Sequence, residues 1–159
     1  MRTQTQFLDK YQESHQNPLN SFIHIICVPA IFFASVGLLW AIPIGRWLGL
    51  GEGVAPWVNL ATITALPILF FYLRLSPLAT ITAIGWFVLS VLGIFSIQRA
   101  GLPLVWTCLA IWVAAWAVQF YGHHVEGAKP SFADDMLFLL IGPLYVMNKL
   151  YRKLGMALH

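Results

Sequence analysis

Charge is what this sequence has least of. Asp, Glu, Lys and Arg make up 9% of its 159 residues, whereas water-soluble domains carry about 25%. With 59% hydrophobic residues and a mean hydropathy of +0.75, that shortage excludes an ordinary soluble domain and marks an integral membrane protein. Cysteine is scarce too. Cys27 and Cys108 both fall inside apolar runs, where a disulfide framework has no use, so they read as small buried hydrophobes. The Lys and Arg residues are scattered, with no basic run interleaved with aromatics, which argues against nucleic acid as a partner. The opening MRTQTQFLDKYQESHQNPLN is polar and lacks the charged, apolar and small-residue order of a cleavable signal. The first apolar run is therefore expected to stay in the mature protein.

What the sequence has in quantity is long hydrophobic runs. Crossing a hydrocarbon core of about 30 Å takes roughly 20 apolar helical residues, and four windows meet that requirement: approximately 22–42, 54–73, 78–98 and 103–122. Pro29 and Pro67 fall inside them and are expected to kink rather than end a helix. A fifth stretch, MLFLLIGPLYVM, is short and contains Gly142-Pro143; it suits a buried, re-entrant or interfacial helix better than a span. The expected fold is an all-α integral membrane protein, one domain over 1–159, with a four-transmembrane-helix bundle and a short re-entrant or interfacial C-terminal helix. An even number of crossings puts both termini on one side. That side then carries Arg2, Lys10, Arg74, Lys129, Lys149, Arg152 and Lys153, against Arg46 and Arg99 on the other, so the termini are expected to be cytoplasmic. The trailing NKLYRKLG would lie against membrane lipid headgroups. A bacterial inner membrane or an endoplasmic reticulum membrane fits such a chain.

Four of the five histidines sit at the borders of these runs. His15 and His24 flank the start of the first span, and His123 and His124 end the fourth. In a four-span topology these two borders share a membrane face, so the imidazoles can converge. In HQNPLNSFIH, Asn17 followed by Pro18 is a helix-start signature, with Asn20 the competing cap. A bend there is required, because nine residues of continuous helix would turn His15 roughly 180° away from His24. His123 and Glu126 are three apart and share a helical face, while His124 points about 100° away from His123. Neutral imidazole is the commonest metal ligand, and Glu126 reads either as a ligand or as the carboxylate that fixes an imidazole tautomer. Histidine and carboxylate with open positions suit non-haem iron and O2. Cys27 is an alternative thiolate ligand. Asp134 and Asp135 read as caps or solvated loop residues. Because ligating histidines must be neutral, metal occupancy is expected to fall below about pH 6.

The pattern His15-x-Asn17-Pro18-x-Asn20-x-x-x-His24, then Val28-Pro29, and later Gln119-Phe120-x-Gly122-His123 followed by Glu, Pro and FADDMLFLLIGP, resembles the 2-hydroxy fatty acid dioxygenase family. The likeness runs over nearly the whole chain. It implies Fe(II)-dependent α-oxidation, in which a long-chain 2-hydroxy fatty acid and O2 as co-substrate give a fatty acid one carbon shorter without 2-oxoglutarate. It also implies that His15, His24 and His123 are essential metal residues, with Glu126 a catalytic carboxylate; His124, which the family pattern lacks, is a further candidate ligand from its place at the span border. Asn17 and Asn20 would support them, and Lys129 would steer the substrate carboxylate. Two readings compete: a haem protein with axial imidazoles, and a non-enzymatic, transporter-like membrane protein.

Overall fold

The computed structural model describes residues 3–129 and 137–153. All regular structure among them is helical: α1 (Gln4–Glu13), α2 (Pro18–Trp40), a single turn α3 (Ile44–Trp47), a 3-10 turn at Ala55–Trp57, α4 (Leu60–Leu73), α5 (Pro77–Arg99), α6 (Leu104–Glu126) and α7 (Phe138–Lys153). Asp134 and Asp135 lie outside the described residues.

Three segments are long and apolar enough to cross a membrane: Pro18–Trp47, Pro77–Arg99 and Leu104–Glu126. They match three of the four expected windows. The fourth, 54–73, yields only the 14-residue α4, about 21 Å long at 1.5 Å per residue. Local polar chemistry shortens it. Residues 54–58 are taken up by the 3-10 turn and by pairing with α3, where Gly45 N donates to the Val58 carbonyl at 2.5 Å. Helix then starts at Asn59, whose side chain accepts from Thr62 N while Thr62 Oγ1 accepts from Asn59 N; this reciprocal capping box fixes the first turn. Although short, α4 still carries the chain back along the bundle, since α2 begins and α6 ends at the same end of the molecule. Both α2 and α4 run through their prolines, Pro29 and Pro67. Leu66, Ile81, Leu89 and Trp106 stand exposed on the outside, a surface suited to lipid rather than water.

The main helix pair is α2 with α6, antiparallel and closely packed. Cysteine and glycine set its spacing: Gly37 lies directly against the Cys108 side chain, and Gly122 against Asn20 and Ile23. Both cysteines are buried and free, in keeping with their reading as small hydrophobes.

The polar N-terminus forms a helix that composition did not announce. In α1 a second capping box, Thr3 with Gln6, starts the helix, and Phe7, Leu8 and Tyr11 turn inward at helical spacing. They form one core with Tyr72, Ala79, Phe138, Ile141, Leu144 and Tyr145. The apolar C-terminal stretch extends to the 16 residues of α7, running through Pro143 and packing on α1, α2 and α5. Together α1 and α7 close the end of the bundle at which α2 starts and α6 stops.

Candidate metal centre

The centre is assembled by the corner between α1 and α2. Asn17 is the cap of α2, its Oδ1 accepting from Leu19 N at 2.8 Å, and Pro18 takes the first helical position. The chain therefore bends after His15, as the capping signature requires, and the His15 ring folds back over α1 to stack on Tyr11 with centroids 4.2 Å apart and planes 1° from parallel. His24 lies in the second turn of α2. His123 arrives from the last turn of α6, which Gly127 ends in the left-handed region at φ 71°. His15, His24 and His123 are 1%, 0% and 6% exposed. Their ring centroids are 4.2 Å (15 to 24), 5.1 Å (15 to 123) and 4.8 Å (24 to 123) apart, all edge to face.

Hydrogen bonding on the far side of two rings fixes what they offer. His15 Nδ1 lies 2.5 Å from the Tyr11 carbonyl oxygen and His24 Nδ1 lies 2.9 Å from that of Asn20. A carbonyl only accepts, so each Nδ1 carries the proton and each Nε2 keeps a lone pair. These Nε2 atoms, and Nδ1 of His123, are buried without a hydrogen-bond partner among the described residues. One nitrogen from each ring can be chosen so that all three lie within 4.8 Å of one another. Buried ring nitrogens left unpaired cost free energy, and three histidines this close together fit a metal ion, with the backbone carbonyls orienting two of the ligands from behind.

Glu126 supports the corner from which His15 projects. Its Oε1 accepts from Gln16 N at 2.8 Å, and its Oε2 from Asn17 N at 2.9 Å and Asn20 Nδ2 at 3.0 Å. Both oxygens are thus spent on the start of α2, where backbone N–H groups are unpaired and the helix dipole favours an anion. Glu126 fastens α6 to the corner that carries His15, and among the described residues the metal-suited cluster is His15, His24 and His123. Asn20, fully buried, ties the same corner by donating to the Ser14 carbonyl at 3.1 Å. His124 is exposed and outside the cluster, as is Lys129 on the loop after α6. Cys27 is buried among Ile23 and Ala115 and is not part of the cluster.

Three surrounding residues were not anticipated. Tyr11 stacks on His15; Tyr145 of α7 lies 5.3 Å from the His15 ring and carries Lys149 Nζ over its face at 4.8 Å; Gln119 sits one turn before His123 on the same face of α6. The sequence signal for Tyr11 was present in the spacing of Phe7, Tyr11 and His15 behind the Thr3 cap.

Burial, with the nearby His123 and Lys149 adding to it and the bond to the Tyr11 carbonyl opposing it, pushes the His15 imidazole down to about 4. The folded protein thus keeps His15 neutral where an unfolded chain, with an ordinary pKa of about 6.5, takes up a proton. Stability of the metal-free protein should consequently fall as pH drops from about 6.5 toward 4. Proton competition for the metal at His15 should begin near pH 4 rather than near 6. Thermal unfolding of apo-protein and metal content, each followed across this range, check both statements; metal loss at the ordinary imidazole pKa would contradict the second.

A cavity of about 490 Å³ opens from this cluster. His15 and His123 line its head, and Val28, Ile31, Phe32, Val36 and Leu39 of α2 its length, facing α4 on one side and Trp112 and Trp116 of α6 on the other. Its wall is overwhelmingly apolar. Histidine nitrogens thus stand at the mouth of a slot shaped for a hydrocarbon tail.

No curated protein and no solved structure matches this chain. A family model described as Mpo1-like, 2-hydroxy-palmitic acid dioxygenase Mpo1-like, matches residues 1–154. That match spans both histidine motifs and every helix of the bundle, and the chain belongs to the Mpo1-like family, whose description is that of a dioxygenase acting on a 2-hydroxy fatty acid.

Proposed function

We propose that this protein is an Fe(II)-dependent dioxygenase that converts a long-chain 2-hydroxy fatty acid and O2 into the fatty acid one carbon shorter, with His15, His24 and His123 holding the iron. The observation that carries this reading is three buried histidines, each with a ring nitrogen lacking a hydrogen-bond partner among the described residues, gathered at the head of an apolar cavity. Iron, when bound, supplies the Lewis acid that gathers carboxylate and hydroxyl and the redox partner for O2. The protein's part is positional. The Tyr11 and Asn20 carbonyls hold two rings in the tautomer and orientation that present Nε2. Glu126 and Asn20 hold the α1–α2 corner. The buried setting of α1 and α7 keeps bulk water from the head of the slot. The four electrons for oxygen reduction come from the substrate's own C1–C2 and C2–H bonds, C1 leaving as CO2 with one water formed, so no 2-oxoglutarate is needed. The termini and this centre are assigned to the cytoplasmic side on the charge asymmetry of the loops.

Haem is disfavoured by geometry. The three rings contact one another edge to face at 4.2–5.1 Å, which leaves no slot for a macrocycle between axial ligands. Purified protein should accordingly show iron without an intense Soret band.

The deciding experiment is product mass spectrometry under ¹⁸O2 with purified protein, Fe(II) and three acids of equal length: 2-hydroxy, 3-hydroxy and unsubstituted. Only the 2-hydroxy acid should be shortened by one carbon. Equal processing of all three, or no shortened acid despite bound iron, would refute the proposal.

The tail is assigned to the cavity along α2. Val28 to Leu39 rise about 16 Å, close to the ~15 Å that one leaflet's chains span in a 30 Å core. Ala65 of α4 lines the slot partway down. Ala65→Phe should fill its lower part and raise KM for long-chain acids by about fourfold for each methylene excluded, the equivalent of ~0.8 kcal/mol per buried CH2. Short-chain acids should be spared. Kinetics over a series of chain lengths measures this, and an unchanged length profile would place the tail elsewhere.

A further inference from the structure

We infer that Gln119 is the group that recognises the 2-hydroxyl of the substrate; this rests on the proposed reaction and assigns a specificity determinant to the same site. The argument begins with the polar side chains on the cavity wall. Apart from the histidines, Tyr11 and the indoles of Trp112 and Trp116, these are Ser35, Thr64, Tyr72 and Gln119. Three of them are internally satisfied. Ser35 Oγ accepts from Trp112 Nε1 at 3.2 Å, Thr64 Oγ1 donates to the Leu60 carbonyl at 2.8 Å, and Tyr72 OH donates to the Leu140 carbonyl at 2.5 Å. Gln119 differs: it is 5% exposed, and its Oε1 is buried with no hydrogen-bond partner among the described residues.

Its position gives that unpaired oxygen a purpose. Gln119 precedes His123 by four residues on α6, so the two side chains lie one above the other on a single helical face, and both line the cavity. The amide therefore sits one turn deeper than the metal-suited nitrogens, on the tail side of the head. A 2-hydroxy acid with its carboxylate at the histidines presents its hydroxyl there, on the carbon that begins the tail. The hydroxyl is a donor and Gln119 Oε1 an acceptor. An unsubstituted acid in the same place offers only C–H and leaves the buried oxygen unpaired, the arrangement by which sites discriminate strongly against analogues that lack a hydroxyl. Val28 and Ile31 on the same cavity wall supply no substitute donor.

The test compares binding of a 2-hydroxy acid and the unsubstituted acid of equal length to metal-free protein in lipid nanodiscs, for the wild type, Gln119→Met and Gln119→Glu. Taking the ratio of the two affinities, and comparing that ratio between proteins, cancels the acids' different partitioning into lipid. The wild type should favour the 2-hydroxy acid by about tenfold, the scale of one buried hydrogen bond. Gln119→Met keeps the volume but removes the acceptor, and the preference should vanish while the affinity for the unsubstituted acid holds or rises. Gln119→Glu keeps an acceptor; both acids should weaken alike, with the preference retained. No preference in the wild type, or an undiminished preference in Gln119→Met, would overturn the inference. If Gln119→Met fails to fold by circular dichroism, the wild-type preference and Gln119→Glu still decide it, since loss of the preference in the latter contradicts a role as hydroxyl acceptor. Because binding is measured without iron, this outcome is separate from the proposed reaction: a wild type that turns over the 2-hydroxy acid but binds both acids equally would leave the reaction standing and remove Gln119 from it.

Discussion

Replacing His24 by Ala is expected to lower iron affinity more than about a hundredfold, beyond the 10- to 100-fold that loss of an outer-shell partner typically costs, and to abolish turnover. The reason lies in the depth of the residue. His24 is fully buried, contacts both partner rings edge to face and presents a nitrogen with no hydrogen-bond partner among the described residues. Neither nearby candidate takes its place: Cys27 lies one turn further along α2 in an apolar cluster, and Glu126 is held by the backbone amides of Gln16 and Asn17. The same result is expected for His15→Ala and His123→Ala. His124→Ala, on the exposed side of α6, should keep its iron. Helix content should survive in all four, because the rings sit at helix ends rather than in the middle of the bundle. Metal analysis alongside circular dichroism measures both quantities, and full iron in His24→Ala would refute the triad.

A wedge between α2 and α6 should be nearly as damaging without touching a ligand. A Cβ at Gly122 would come 2.5 Å from Asn20 Oδ1 and 3.3 Å from Ile23 Cδ1, closer than real contacts allow. Gly122→Val is therefore expected to cost about 1–3 kcal/mol in overpacking. Asn20 also holds Glu126 and the Ser14 carbonyl, so its displacement loosens the corner that carries His15 and moves His123 away from His24. A further 10- to 100-fold loss of iron affinity should follow, the scale of disturbed outer-shell support. Gly85→Val is the matched control, since a Cβ there meets nothing within 4 Å. Thermal unfolding and iron titration of the two variants decide the matter; equal behaviour would mean that the α2–α6 spacing does not set the centre.

The charge shortage and the apolar runs by themselves determined the class of protein, because hydrocarbon solvent tolerates few ions and demands satisfied backbone. Asn17-Pro18 determined the bend that turns His15 back, since capping is a local hydrogen bond between neighbours in sequence. His15, His24 and His123 could be picked out for the same reason, as ionisable residues at the edges of apolar runs. Tertiary structure alone decided which way α6 is rotated. An amphipathic helix announces its buried face, but α6 is apolar nearly all round and gives no such signal; its rotation is set by the close approach at Gly122 and the hydrogen bonds of Glu126 across the gap to α2. That rotation sends His123 inward with Gln119, leaves His124 outside, and lets the Glu126 carboxylate accept from the backbone amides of Gln16 and Asn17. Tertiary contacts likewise shortened α4, where the chain before Asn59 pairs with α3 instead of extending the helix, and converted a polar N-terminus into α1, whose few apolar residues have a place to be buried only because α7 folds against them.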